Sequence, residues 1–153
     1  MELEYLKKLE DFYNNNLKFS RISVPEQKIE KLEQQLNIKL PKAYKEFLFL
    51  AGNRDSFLDS WERGFDYLDW IQASIKKSIN DVNLHLKPFF AFEEYGRNQC
   101  QFFFLDEGEN PPIYAYYEDK IENDKGEEVF YKKTKNSFSD LIESRISYTL
   151  KNG

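Results

Sequence analysis

Halfway along the chain the spacing of apolar residues changes period, and this constrains the fold more than any other feature. Up to about residue 83 apolar side chains recur at helical intervals; from Phe89 onward they come in short aromatic runs broken by turn residues. Leu3, Leu6, Leu9, Phe12 and Tyr13 predict a helix over 2–14, stopped by Asn14-Asn15-Asn16. Ser23-Val24-Pro25-Glu26 has the spacing of a capping box with proline in the first turn. The helix behind it carries Ile29, Leu32 and Leu36 on one face. Pro41 disfavours helix at Leu40 and opens a third helix with Tyr44, Phe47, Leu48 and Ala51 in a core-facing stripe, closed by Gly52 at a C′ position. Ile71, Ile75, Ile79 and Val82 predict a weaker helix over 71–83, and Phe65–Leu68 reads as an edge strand.

In the second half, Phe89–Phe92, Phe102–Leu105, Ile113–Tyr117 and Val129–Tyr131 are separated by Gly96, by Gly108-Glu109-Asn110-Pro111-Pro112 and by Lys125-Gly126. Those breaks are turn chemistry, so the segment predicts an antiparallel sheet of about four to six strands. A last helix starts near Ser137, with Phe138, Leu141, Ile142 and Ile146 on one side. No linker or repeat divides the 153 residues, and one α+β domain follows, its sheet packed against N-terminal and C-terminal helices. With 14 Phe, 10 Tyr and 2 Trp, aromatic rings supply apolar area that an aliphatic count understates.

Charge is distributed unevenly. Residues 91–128 hold 11 acids against Arg97, Lys120 and Lys125, more than the whole net charge of −5, while 129–153 are net basic. A nucleic-acid binder needs a basic footprint, so this distribution argues for a cationic protein partner. The expected binding surface comprises Glu93, Glu94, Tyr95, Asp106, Glu107, Glu109, Tyr114, Tyr116, Glu118 and Asp119, acids to steer the encounter and tyrosines to supply contact area. Strand parity puts Tyr114 and Tyr116 on one face and Ile113, Ala115 and Tyr117 on the other, with one face expected as core. Trp61 and Trp70 fit equally as core residues or partner anchors.

Signals for catalysis are sparse. His85 is the only histidine, placed at an expected helix end, and the six glycines are scattered, so neither a two-histidine metal site nor a phosphate loop is present. Glu93-Glu94 and Asp106-Glu107 fall at the ends of two strands that a hairpin can bring together, the one arrangement suited to carboxylate-dependent hydrolysis. Cys100 is the only cysteine and reads as a half-buried strand residue in a reducing compartment. The N-terminus shows no apolar signal region and no run approaches about 20 apolar residues, so the expectation is a cytoplasmic protein with no cofactor, metal, nucleic-acid or membrane partner, monomeric by default.

The order of these features resembles the SUKH superfamily. The helix over Glu26–Leu36, the Leu40-Pro41 step and the Tyr44, Phe47, Leu48 helix are similar to its N-terminal signature. Phe89–Phe92, then Gly96, then Phe102 and Phe104 in a strand ending at Asp106, resemble its strand, glycine turn and aromatic strand. The match spans about residues 23–147, with Gly52-Asn53 where many relatives have Asn-Gly and with a glycine turn reduced to Gly96. The resemblance implies a binding role. Bacterial members are largely immunity proteins that neutralise a cognate toxin, commonly a nuclease or deaminase; fungal relatives regulate cell-wall glucan synthesis and signalling.

Overall fold

In the computed structural model, which describes residues 1–53, 64–96 and 98–152, the chain runs α1 (Lys7–Asn15), α2 (Glu26–Leu36), α3 (Lys42–Ala51), a 3-10 turn (Phe65–Tyr67), α4 (Leu68–Asp81), β1 (Phe89–Glu94), β2 (Gln99–Phe104), β3 (Ile113–Glu122), β4 (Glu128–Lys135) and α5 (Phe138–Asn152). This is the expected α+β architecture with a four-stranded antiparallel sheet in the order β1-β2-β3-β4. The predicted edge strand at Phe65–Leu68 is instead the 3-10 turn leading into α4, where Leu68, Ile71 and Ile75 are buried at helical spacing. Residues 57–63, including Trp61, lie outside the described residues.

Several helix ends depart from the expected chemistry. Pro25, not Ser23, is the N-cap of α2, and no side chain caps it. Ser23 stands two residues too early because Val24 is buried, its N–H donating to the carbonyl of Leu48 at 3.0 Å. Asn37 closes α2 in the left-handed region at φ 52. Gly52 follows α3 at φ −70, so it is not a left-handed cap; a Cβ there would lie 2.6 Å from the Leu48 Cα, which makes it a close-approach glycine.

Helices cover both faces of the sheet, so the expectation of one core face does not hold. On one face Phe90, Phe92 and Phe103 meet α3 and α5, and the Tyr44 ring sits 5.3–6.2 Å from the rings of Phe47, Phe90, Phe92, Phe103 and Phe138. Such aromatic pairs contribute about 0.5–1.5 kcal/mol each beyond the area they bury. On the other face Cys100, Phe102 and Tyr116 are buried, and α4 reaches them through Ser78, whose hydroxyl lies 2.7 Å from that of Tyr116. Parity itself holds: Tyr114 and Tyr116 pair with Phe102 and Cys100 on one side, Ala115 with Gln101 on the other.

The outer edge of β1 is closed by a side chain. The Gln72 amide on α4 donates from Nε2 to the carbonyl of Ala91 at 2.6 Å and accepts its N–H at 2.9 Å through Oε1, as a neighbouring strand would. At the other end of the fold, Glu46 on α3 is fully buried. Its Oε1 accepts the N–H groups of Glu4, Tyr5 and Leu6 at 2.9–3.0 Å, satisfying the donors that lead into α1. Lys42, one turn earlier, places Nζ 3.5 Å from Oε2 of the same carboxylate.

Candidate functional site

Register decides where the acidic residues go. Phe89 pairs with Phe104 and Glu94 with Cys100, so Glu93-Glu94 and Asp106-Glu107 lie at opposite ends of the β1–β2 hairpin. Five residues of strand separate those ends, about 17 Å at 3.4 Å per residue. Two carboxyl groups acting across a glycosidic bond stand about 5–9.5 Å apart, so the expected pair does not form. Among the described residues no group of three or more His, Cys, Asp or Glu side chains is arranged to hold a metal ion.

The expected binding surface divides into three environments. Glu93, Glu94 and Tyr116 are buried, at 0 %, 6 % and 0 % exposure, and cannot meet a partner on the surface. A bulge between Ala91 and Glu93 turns Glu93 inward beside Phe92, where Oε1 accepts from Arg145 Nη2 at 3.0 Å and from Gln101 Nε2 at 2.9 Å. Glu94 accepts the N–H of Gly96 through Oε1, fixing the β1–β2 turn. These acids are structural.

At one end of the sheet, Asp106, Glu107 and Glu109 sit in the loop after β2. Lys87 Nζ lies 2.9 Å from Asp106 and 3.5 Å from Glu107, and 4.6 Å from the centroid of the Phe104 ring. Hydrogen bonding to Asp106, opposed by desolvation and aided by Glu107, raises the Lys87 pKa, so the ammonium stays charged. Tyr114 points its hydroxyl at Glu107 across 3.4 Å and packs on Phe102, Phe104 and Tyr131. Burial, then the bond to Glu107, raises the Tyr114 pKa. Lys87 offsets one of the three negative charges at this end.

At the other end, β3 and β4 run on beyond β2, which pairs only with residues 114–117 of β3. Glu118, Asp119, Glu122, Asp124, Glu127 and Glu128 load this projecting hairpin against Lys120 and Lys125. Its tip is the expected turn: Gly126 N–H donates to the Asn123 carbonyl at 3.0 Å, and Asn123 Oδ1 accepts the N–H groups of Lys125 and Glu127 at 2.9 Å. Asp119, Glu122, Asp124, Glu127 and Glu128 are exposed and form no ion pair with any described residue. Glu122 and Glu128 stand directly opposite each other, an unfavourable cross-strand pair within the fold itself. Glu118, at the root, accepts from Ser78 at 2.6 Å.

The matched family is consistent with this construction. The family model of the SMI1 / KNR4 family (SUKH-1) matches residues 23–144. The chain belongs to that family. Comparison with curated proteins gave no match. In this SMI1 / KNR4 domain the Leu40-Pro41 step, Tyr44, Phe47 and Leu48 are all buried structural residues, as are Phe102 and Phe104. Gly96 turns the β1–β2 connection at φ 68. The match begins ahead of α2, so α1 is joined to the matched region through Glu46, a residue that reads in the sequence as one more charge on a helix. Trp70 is half exposed on α4, which removes it from the core alternatives. His85 is exposed beyond the end of α4, and no helix among the described residues is long and apolar enough to cross a membrane.

Proposed function

We propose that this SMI1 / KNR4 domain is a non-catalytic immunity protein that binds a cognate toxin with a basic surface, presenting the β3–β4 hairpin as its principal docking element. One observation supports the reading: five exposed carboxylates that form no ion pair with any described residue are concentrated on a projecting two-stranded element. Repulsion between them is tolerated within the free protein and is relieved when a cationic surface arrives. A toxin acting on nucleic acid offers such a surface in its substrate channel. Asp106, Glu109 and Tyr114 flank a second, weaker contact region whose charge Lys87 offsets in part.

The test takes the product of the neighbouring gene as the candidate toxin. It co-purifies with the full chain, and association slows steeply with added salt. Reversal of Glu122, Asp124 and Glu127 to lysine reduces the association rate by about tenfold or more and flattens its salt dependence, with the circular dichroism spectrum unchanged. Unaltered binding by the triple variant would overturn the hairpin assignment. Reversal of Glu93 or Glu94 is not informative, since both are packed inside the fold.

A further inference from the structure

On the sheet face that carries α5, the helix leaves part of β2, β3 and β4 uncovered, and a cleft of about 500 Å³ opens there. That volume suits a small organic ligand. Its lining is rich in donors. Arg145 is held at its floor by the buried Glu93, so the guanidinium is positioned and its charge offset. Lys135 is different: among the described residues its Nζ bonds only to Ser144 Oγ, at 3.4 Å, and pairs with no carboxylate. A bulge puts it there. Ile113 pairs with Lys135 and Tyr114 with Lys133, so these two lysines lie on opposite faces of β4.

Tyr95 supplies the second element. Its hydroxyl oxygen accepts from Gln101 Nε2 at 2.7 Å and from Arg145 Nη2 at 3.4 Å, both groups that can only donate. The phenol's own proton is therefore turned away from them, and it finds no acceptor among the described residues. An ammonium with no carboxylate partner and a phenolic donor with no acceptor among the described residues thus line one cleft with a prearranged guanidinium, on a protein of net charge −5.

The geometry points to a binding site for a small oxyanion ligand, a carboxylate or a phosphate, in the cleft between α5 and the β2–β4 face, with Lys135 and Tyr95 as its direct contacts. An oxyanion accepts both protons in charge-assisted hydrogen bonds, the strongest that neutral and cationic donors make. The site is independent of the hairpin and of any toxin.

Amide chemical shifts of the full chain, followed while sodium phosphate or sodium succinate is added at constant ionic strength, test it. Saturable shifts at Tyr95, Gln99 and Lys135 with either probe are expected, and the more effective probe identifies the class of oxyanion. Lys135→Gln weakens binding by about tenfold, and Lys133→Gln, which removes the same charge from the other face, leaves it unchanged. Tyr95→Phe weakens it further when folded; if that variant fails to fold, the comparison of the two lysine variants decides. Absence of saturation with both probes, or equal affinity in Lys135→Gln and Lys133→Gln, overturns the proposal.

Discussion

Arg145 on α5 reaches Glu93 on β1 across 52 residues of chain, bringing Nη2 within 3.0 Å of Oε1 of a carboxylate that is fully buried. The pair ties the last helix to the first strand at a point where the sheet bulges. Burying the Glu93 carboxylate is costly, and the guanidinium and the Gln101 amide that donate to it offset that cost.

Arg145→Ala removes the guanidinium from the buried Glu93 carboxylate and is expected to lower stability by about 3–5 kcal/mol in urea denaturation. The double variant Glu93→Gln with Arg145→Met removes both charges and recovers much of that loss. Equal destabilisation in the single and double variants would mean that the ion pair is not what matters at this site.

Glu46 predicts a second large effect. Glu46→Ala removes the acceptor of three backbone N–H groups leading into α1, at about 1–3 kcal/mol for the buried donor of Leu6 and less for the part-buried donors of Glu4 and Tyr5. Faster amide exchange should appear at residues 4–6 and through α1 first, with the sheet retaining its protection. Exchange that rises uniformly over the whole chain would contradict this local role.

On the hairpin the sign reverses. Glu122→Lys replaces a like-charge cross-strand pair with an attractive one opposite Glu128 and is expected to stabilise by about 0.2–1 kcal/mol at low salt. The gain should fade as salt rises, read as a shrinking difference in melting temperature from the unaltered protein. Any loss of stability at low salt would show that the register of the tip is different.

Cys100 gives a pH dependence. Burial, reinforced by Glu94 and Glu93, holds its thiol pKa well above the ordinary 9.0. In alkaline solution the unfolded chain therefore releases this proton while the folded chain keeps it, and folding loses ground as pH rises through and above 9.0. Below that value the contribution is fully present. Tyr116, its pKa raised from 10.0 chiefly by burial, adds a loss of the same sign at higher pH. The melting temperature should fall between about pH 8 and 10, and fall less in Cys100→Ala. An identical pH profile in that variant would remove the thiol from the account.

Much of this fold is legible in residue spacing, and the exceptions have physical causes. The stripe Tyr44, Phe47, Leu48 and the aromatic runs encode their elements because each buries a face with its own period. Phe65–Leu68 misleads because a 3-10 turn entering a helix and a short strand present similar apolar residues over four positions. The acids resist reading for another reason. Glu93 looks like surface by composition, but the bulge that turns it inward and the arginine that receives it are separated from it by register and by chain length. Glu46 hides in the same way, its three donors lying about 40 residues upstream. Of the hairpin acids only Glu118 and Asp119 belong to the surface read from the sequence; Glu122, Asp124, Glu127 and Glu128 join it through the β3–β4 register, and the cleft at Lys135 needs the β4 bulge and the pose of α5 together.

Because the Gln72 amide occupies the N–H and carbonyl of Ala91, the β1 edge is blocked there against strand addition, and β4 is the open edge among the described residues. Fibre-like stacking requires two such sides per molecule, so growth by strand addition would stop at a pair joined β4 to β4. That junction would bring Lys132, Lys133 and Lys135 of two copies together, and mutual repulsion guards that border.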